Sequence, residues 1–294
     1  MSPAEYEPSK RRELRYSAVS SGRLGANKAH VFATKYALSV YGSASVYSLI
    51  PKNACATMRL SIALRNGFLS DPEQADWIVP NGLVFRAGLR DIASARYSFV
   101  VLRCPYARLA SCFYDKFLGS SAPAGKFRRH VALEGGLQGL TFTTFCRALK
   151  QEQVFMADQH WRPQAAFLVY REYDDVFAVE KLSEAAATLK KKADLDLIDS
   201  RPYIKHDAAQ FKRMDRAEDC AGLTVREIKA LKAAGLLPHP ASIYSDEAHD
   251  IVSKLYAEDV TLFEGQFPGL GLFAAPGAVH MPSRGIPQAG VENR

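Results

Sequence analysis

Along this chain, short unbroken apolar runs alternate with longer stretches in which apolar residues recur every three or four positions. Runs of the first kind read as buried strands and stretches of the second as amphipathic helices. "SASVYSLI" (residues 43–50) and "YSFVVLR" (97–103) are the strand candidates, the second with the continuous apolar character of a parallel sheet. Helical periodicity follows each directly. "CATMRLSIALRNG" (55–67) stops at Gly67. In "CPYARLASCFYDKF" (104–117), Leu109, Phe113 and Phe117 share one face behind Pro105 in the first turn.

The same reading predicts helices over "AHVFATKYALSVYG" (29–42), "TFTTFCRALK" (141–150), "VFAVEKLSEAAATLKKKA" (176–193) and "TVREIKALKAAG" (224–235). A further helix is expected in "SDEAHDIVSKLYAEDVTLFEGQF" (245–267), where Ala248, Ile251, Leu255 and Tyr256 form a stripe. "AAFLVY" (165–170) is expected as a strand, and residues 119–139, rich in Gly, Ser and basic residues, as a mobile surface loop. Strands alternating with helices predict an α/β fold, an open and mainly parallel sheet flanked by helices. The divisions are an N-terminal arm with a short helix (1–40), one domain (41–267), and a Gly/Pro-rich flexible tail (268–294).

Charge narrows the field. With 38 Lys and Arg against 31 Asp and Glu, the net charge is +7, which favours anionic partners. Nucleic acid is not expected, because basic and aromatic residues do not interleave in one cluster. The five cysteines, Cys55, Cys104, Cys112, Cys146 and Cys220, are widely spaced and include no C-x-x-C pair. That argues against a disulfide framework or a thiolate metal site, and reduced thiols suit a cytoplasmic protein. The first thirty residues lack the apolar stretch of a signal peptide, and no window approaches a membrane span.

The two strand-to-helix passages are candidate anion sites. In an open α/β sheet, ligands bind beyond the carboxyl ends of the strands, where helix N-termini offer unpaired N–H groups. Lys52 adds a mobile charge to the first passage and Thr57 a hydroxyl. The pattern G-x-x-x-x-G-K-[ST] is absent, since no glycine lies between Gly42 and Gly67, and the second strand ends in Arg103 rather than a metal-binding acid. A nucleoside triphosphate kinase is therefore disfavoured. Arg103 and Ser111 mark a second positive site. Ser111 lies about 9 Å along its helix, within reach of a long arginine for a shared phosphate.

These residues carry a resemblance. "IPKNACATMR" resembles the 5′-phosphosulfate loop of the Golgi-type carbohydrate sulfotransferases, which use 3′-phosphoadenosine 5′-phosphosulfate (PAPS). Ala56 replaces the first of the two usual hydroxyl residues. "FVVLRCPYARLASCFYDKF" is similar to the family's 3′-phosphate motif, and weaker echoes occur at "DQHWRPQ", "YDDVFAVEKL" and "IVSKLYAEDVTLF". The likeness spans roughly residues 45–265. It implies a P-loop-like sulfotransferase fold and sulfuryl transfer from PAPS, with no metal. By position it implies that Lys52 contacts the phosphosulfate and stabilises the leaving phosphate. Asn53, Ala54, Cys55, Ala56, Thr57 and Met58 would bind the 5′-phosphate through their amides and the Thr57 hydroxyl, with Arg59 nearby. Arg103 and Ser111 would hold the 3′-phosphate.

Such a transfer needs a general base at the acceptor hydroxyl. Several relatives place a histidine between the two motifs, but this chain has none from Asn53 to Arg103. His160 in "DQHWRPQ" is the first candidate and Asp91 the second. The expected acceptor is a sugar or glycolipid hydroxyl. The alternatives are a non-sugar natural product, or a catalytically silent protein that only binds the nucleotide. "KFRRH" and "KHDAAQFKR" are basic segments that could line a cleft for an anionic sugar chain.

Overall fold

Four strands form the central sheet of the computed structural model, which describes residues 12–17, 19, 22–204 and 211–273. They are β1 (Ala37–Val40), β2 (Ser45–Ser48), β3 (Tyr97–Leu102) and β4 (Asp175–Ala178), side by side in that order. β2, β3 and β4 are parallel, and β1 runs antiparallel to β2 with Ala37 opposite Ser48. All six residues of β3 are buried, which its unbroken apolar run demanded. Tyr47 and Tyr97 stack on Phe99, continuing the apolar layer across the sheet. The result is a mixed α/β protein whose mostly parallel sheet is flanked by helices.

Those helices are α1 (Lys28–Lys35), α2 (Cys55–Arg65), α3 (Ile78–Asn81), α4 (Leu89–Ala93), α5 (Pro105–Phe117) and α6 (Ala122–His130). The second half of the chain adds α7 (Phe142–Ala148), α8 (Glu152–Phe155), α9 (Ala185–Ala193), α10 (Val225–Ala233), α11 (Asp246–Leu255) and α12 (Ala257–Gln266). Helices α2 and α5 leave the carboxyl ends of β2 and β3, so the loops before them lie on one edge of the sheet. Among the described residues, no helix is long and apolar enough to cross a membrane.

Several elements differ from expectation, each for a local reason. The helix predicted over 29–42 ends at Lys35. Asn27 caps its start by accepting from the amides of Ala29 and His30. Leu38 and Val40 instead pair with β2, because an edge partner for that strand outweighs their weak helical spacing. "AAFLVY" makes a 3-10 turn at Gln164–Phe167 and a single bridge from Tyr170 to Leu14. The fourth strand is Asp175–Ala178, read from sequence as helix, and only Ala185–Ala193 of that stretch forms a regular α-helix. The last predicted helix breaks at Tyr256, whose hydroxyl is drawn inward to donate to the Trp161 carbonyl.

The expected loop at 119–139 holds α6. Ser121 accepts from the Ala124 amide as its cap, a proline occupies the first turn, and Phe127 is fully buried against Phe117, Phe145 and Trp161. The N-terminal arm contributes Arg12, whose guanidinium donates to the Ala95 and Arg96 carbonyls and pairs with Asp174 at 2.6 Å. Residues 1–11, 18, 20 and 21 of that arm, 274–294 of the tail, and 205–210 of "KHDAAQFKR" lie outside the described residues. Residues 212–213 of that segment form β5 (Lys212–Arg213), paired with β6 (Leu236–Leu237).

A helical α6 has a testable consequence. Gly125 sits in its interior, where an added Cβ would meet nothing within 4 Å, so Gly125→Ala should stabilise the protein by about 0.5–1 kcal/mol. Phe127→Ala should cost about 3–5 kcal/mol. Denaturant unfolding measures both, and no change in either would mean that the segment is not a docked helix.

Candidate functional site

The first strand-to-helix loop turns sharply without glycine. Lys52 and Ala54 both adopt left-handed backbone, with φ of 73° and 53°. Such strain in non-glycine residues persists only where the surroundings enforce it. Asn53, fully buried between them, supplies the enforcement. Its amide nitrogen donates to the Val101 carbonyl at 2.9 Å and to Gln164 Oε1 at 2.6 Å. The turn delivers the chain into α2 from Ala54. The Met58 amide is the first to close on the Ala54 carbonyl, which leaves the amides of Cys55, Ala56 and Thr57 without intrahelical acceptors. No acidic residue occupies this first turn, so its positive dipole end is uncompensated by protein charge.

The second loop is tied to the first. Gln164 accepts from the Arg103 amide at 3.0 Å and donates to the Arg103 carbonyl at 2.9 Å, so one carboxamide holds both crossings. The Arg103 guanidinium donates to the Lys52 carbonyl at 3.1 Å. Lys52 and Arg103 therefore share one neighbourhood. Arg108, buried on α5, donates to the Pro51 carbonyl at 3.0 Å and the Arg162 carbonyl at 2.8 Å. Burial lowers the pKa of both arginines, opposed by Glu180 for Arg103 and by Asp259 for Arg108. Even so, Arg103 Nε, Arg108 Nη2 and Asn53 Oδ1 are buried with no hydrogen-bond partner. Arg213 adds a further positive charge felt by Arg103.

A charged cluster completes the edge. Lys52 Nζ pairs with Asp115 at 3.0 Å, and Lys116 pairs with the same carboxylate at 2.8 Å. Burial works against the Asp115 charge, but Lys52 and Lys116 outweigh it and hold the carboxyl at about 2. His160 Nδ1 lies 2.5 Å from Asp158 Oδ1, whose other oxygen takes Lys126 of α6 at 2.9 Å. Asp158 is likewise held at about 2, its burial overcome by hydrogen bonds from His160 and Lys126. The His160 pKa is lowered by burial and further by the Lys116 charge, against the opposing pull of Asp158 and Asp115. A neutral imidazole, oriented through Nδ1, thus stands within electrostatic reach of the Lys52–Asp115 pair.

A family model described as the sulfotransferase family matches residues 45–267. The chain belongs to the sulfotransferase family. Searches of curated proteins and of solved structures each return no match. The reaction class is accordingly sulfuryl transfer to a hydroxylated acceptor, and the sheet edge just described lies within the matched span.

In this sulfotransferase, Lys52, the first turn of α2 and Arg103 lie together at that edge, with His160 within electrostatic reach of it. Thr57 shares a hydrogen bond of 3.0 Å with the Ser200 hydroxyl, and Arg59 folds back to the Cys55 and Ile78 carbonyls. Met58 is fully buried and points into the core. Ser111 is half-buried on α5, one turn from both Arg108 and Asp115. Asp91 is not brought to the site. Its carboxylate accepts from the Gly88 amide at 2.9 Å and the Ser39 hydroxyl at 3.5 Å, closing the first turn of α4 beside the start of β2. Sequence reading missed Arg108, Asp115, Asp158 and Gln164. Arg108 and Asp115 stand at helical spacing with Ser111 within the quoted motif, which was the available sign.

Gln164 is the testable joint. Gln164→Leu leaves the Arg103 amide and carbonyl without partners in a dry environment. It should destabilise the protein by about 2–4 kcal/mol, read by denaturant unfolding. An unchanged midpoint would show that the two loops are held by something else.

Proposed function

We propose that this sulfotransferase moves the sulfuryl group of PAPS to a hydroxyl of a carbohydrate or glycoconjugate acceptor. The observation that carries the proposal is a pair of guanidinium nitrogens, Arg103 Nε and Arg108 Nη2, buried without acceptors beside the open N-terminus of α2. Unpartnered buried donors on two cations fit a ligand that is anionic at more than one place. In this reading Lys52 and the amides of Ala54 to Thr57 hold the 5′-phosphosulfate, with the Thr57 hydroxyl and with Arg59 nearby; the Asn53 and Met58 amides, expected to join them, are taken by the Ile50 and Ala54 carbonyls. The Ser200 hydroxyl can donate to Thr57, which leaves the Thr57 proton for a phosphate oxygen. Arg103 and Ser111 hold the 3′-phosphate.

His160 serves as the general base. Its Nδ1 is committed to Asp158, so Nε2 is the atom that accepts the acceptor's proton, and Asp158 positions the ring and stabilises the imidazolium that forms. Lys52, oriented by Asp115, meets the negative charge that builds on the leaving phosphate. The sugar acceptor rests on the motif likeness and on α6, where exposed Arg128 and Arg129 extend the positive rim beyond Lys126. All five cysteines are free thiols, which supports a reducing, cytoplasmic setting.

The direct assay supplies PAPS with a panel of sugars and follows formation of adenosine 3′,5′-bisphosphate. Lys52→Ala should abolish turnover. Arg103→Ala and Ser111→Ala should chiefly weaken PAPS binding, by about ten- to a hundredfold. Tight nucleotide binding with no turnover on any acceptor would instead make the protein a silent nucleotide binder. PAPS binding unchanged in Arg103→Ala would overturn the 3′-phosphate assignment.

The base predicts a pH profile. Because burial lowers the His160 pKa, the neutral, active form persists below the ordinary imidazole range, and activity is lost only as pH falls further. Replacing His160 by Ala should cost about 10²–10⁴ in kcat and remove this acid limb from the residual rate. Asp158→Asn should shift the limb to still lower pH, because the hydrogen bond that raises the His160 pKa is weakened. An acid limb that survives in His160→Ala would assign the base elsewhere.

A further inference from the structure

We propose that a cavity on the opposite side of α1 from the His160 segment is a second ligand site, for a small molecule with an apolar body and one carboxylate. The cavity, of about 330 Å³, is lined by Leu24, His30, Val31, Arg86, Leu89 and Ile92 among others. That volume is at the lower end of small-molecule sites, and the mixture of apolar walls with a few polar groups is typical of them. Val31 and Leu89 remain exposed at its rim.

The polar groups specify the ligand. His30 is only 6% exposed, yet its Nδ1 has no hydrogen-bond partner. Burial lowers its pKa, so the ring is neutral and can present Nδ1–H as a donor. The guanidinium of Arg86, at the exposed edge of the cavity, makes no ion pair among the described residues. Two other polar groups of the lining are occupied. The Thr34 hydroxyl donates to the His30 and Val31 carbonyls, and the Gly88 amide donates to Asp91. One imidazole and one guanidinium among apolar side chains suit a monoanionic carboxylate. A phosphate dianion would be left with a single full positive charge and too few donors.

The site is separate from the donor-substrate edge but mechanically close to it. Phe32 and Tyr36, on the other face of α1, each pack edge-on against Phe167, with ring centroids 5.0 and 4.9 Å away. The Arg162 guanidinium lies 4.2 Å over the Phe32 ring. A ligand against His30 therefore sits one helix away from the segment that carries His160 and Gln164. The proposal does not depend on the identity of the sulfuryl donor or acceptor.

The test uses the full chain with phenylacetate and hexanoate as probes and with 2-phenylethanol and acetate as controls. Calorimetry reports affinity, and imidazole ¹H–¹⁵N correlations of the seven histidines report location. Phenylacetate should bind saturably and shift the His30 resonances. Loss of the carboxylate, loss of the apolar body, or Arg86→Gln should each weaken binding about tenfold or more. Val31→Trp, at the exposed rim, should block entry without disturbing the core. The proposal falls if neither acid binds saturably, if Arg86→Gln binds as tightly as the parent, or if adenosine 3′,5′-bisphosphate displaces the probe.

Discussion

One carboxamide fixes the geometry on which the rest of the site depends. Gln164 bonds the Asn53 side chain and both backbone groups of Arg103, so the two strand-to-helix crossings cannot move independently. Its own backbone is fixed in turn. The Gln164 and Ala165 amides donate to the two oxygens of Asp259 on α12, at 2.7 and 2.9 Å. A helix near the end of the described chain thereby sets the distance between two loops from its first half. Burial raises the Asp259 pKa, and the Arg108 charge together with these amides works against that rise. The joint is polar, dry and satisfied on nearly every side, the condition under which buried networks rigidify a fold.

Around that joint the protein tolerates an electrostatic cost. Arg103 and Arg108 lie near enough for each to raise the energy of the other's charge, and Arg213 adds to the repulsion at Arg103. Backbone carbonyls of Pro51, Lys52 and Arg162 satisfy part of each guanidinium. One nitrogen on each remains buried without an acceptor. An unmet buried donor costs about 1–3 kcal/mol. Glu180 lies near Arg103 and Asp259 near Arg108, but among the described residues neither guanidinium makes a direct ion pair like that of Arg12 with Asp174 at the opposite end of β3. The proposed anion site draws on this contrast between a paired arginine at one edge and incompletely paired ones at the other.

The strand-to-helix passages were legible because β3 and α5 carry strong patterns, an unbroken apolar run and then a four-residue stripe behind a proline. The family resemblance rested on those same passages, and the match over residues 45–267 bears out its sulfotransferase part. Short elements were less legible. β1 and β4 have four residues each, and their pairing partners rather than their own composition decide their conformation. α6 was hidden by the glycine, serine and arginine content around it, although Ser121 and the following proline are a helix start. Asp91 was a candidate because it lies between the two motifs in sequence. The crossover from α2 to β3 returns it to the amino-terminal side of the sheet, where it caps α4.

Two charges that sequence reading missed, Arg108 and Asp115, lie on one element with the predicted Ser111. Arg108, Ser111 and Asp115 follow one another at three- and four-residue spacing along α5, so they lie along one face over about 10 Å. At its N-terminal end this face meets the Pro51 carbonyl, and at the other end it pairs with Lys52, so the helix spans the phosphosulfate-loop candidate from side to side. Burial and then the charge of Lys116, next along, lower the His160 pKa, so the base candidate lies within electrostatic reach of the same helix. In the proposed mechanism this rigid helix, which pairs with Lys52 and lies near the base candidate, sets the separations of the reacting groups in advance. No reorganisation is then required at the moment of transfer, and that is where electrostatic catalysis gains most. The hydrophobic stripe of Leu109, Phe113 and Phe117, buried on the other side of α5, holds that spacing constant.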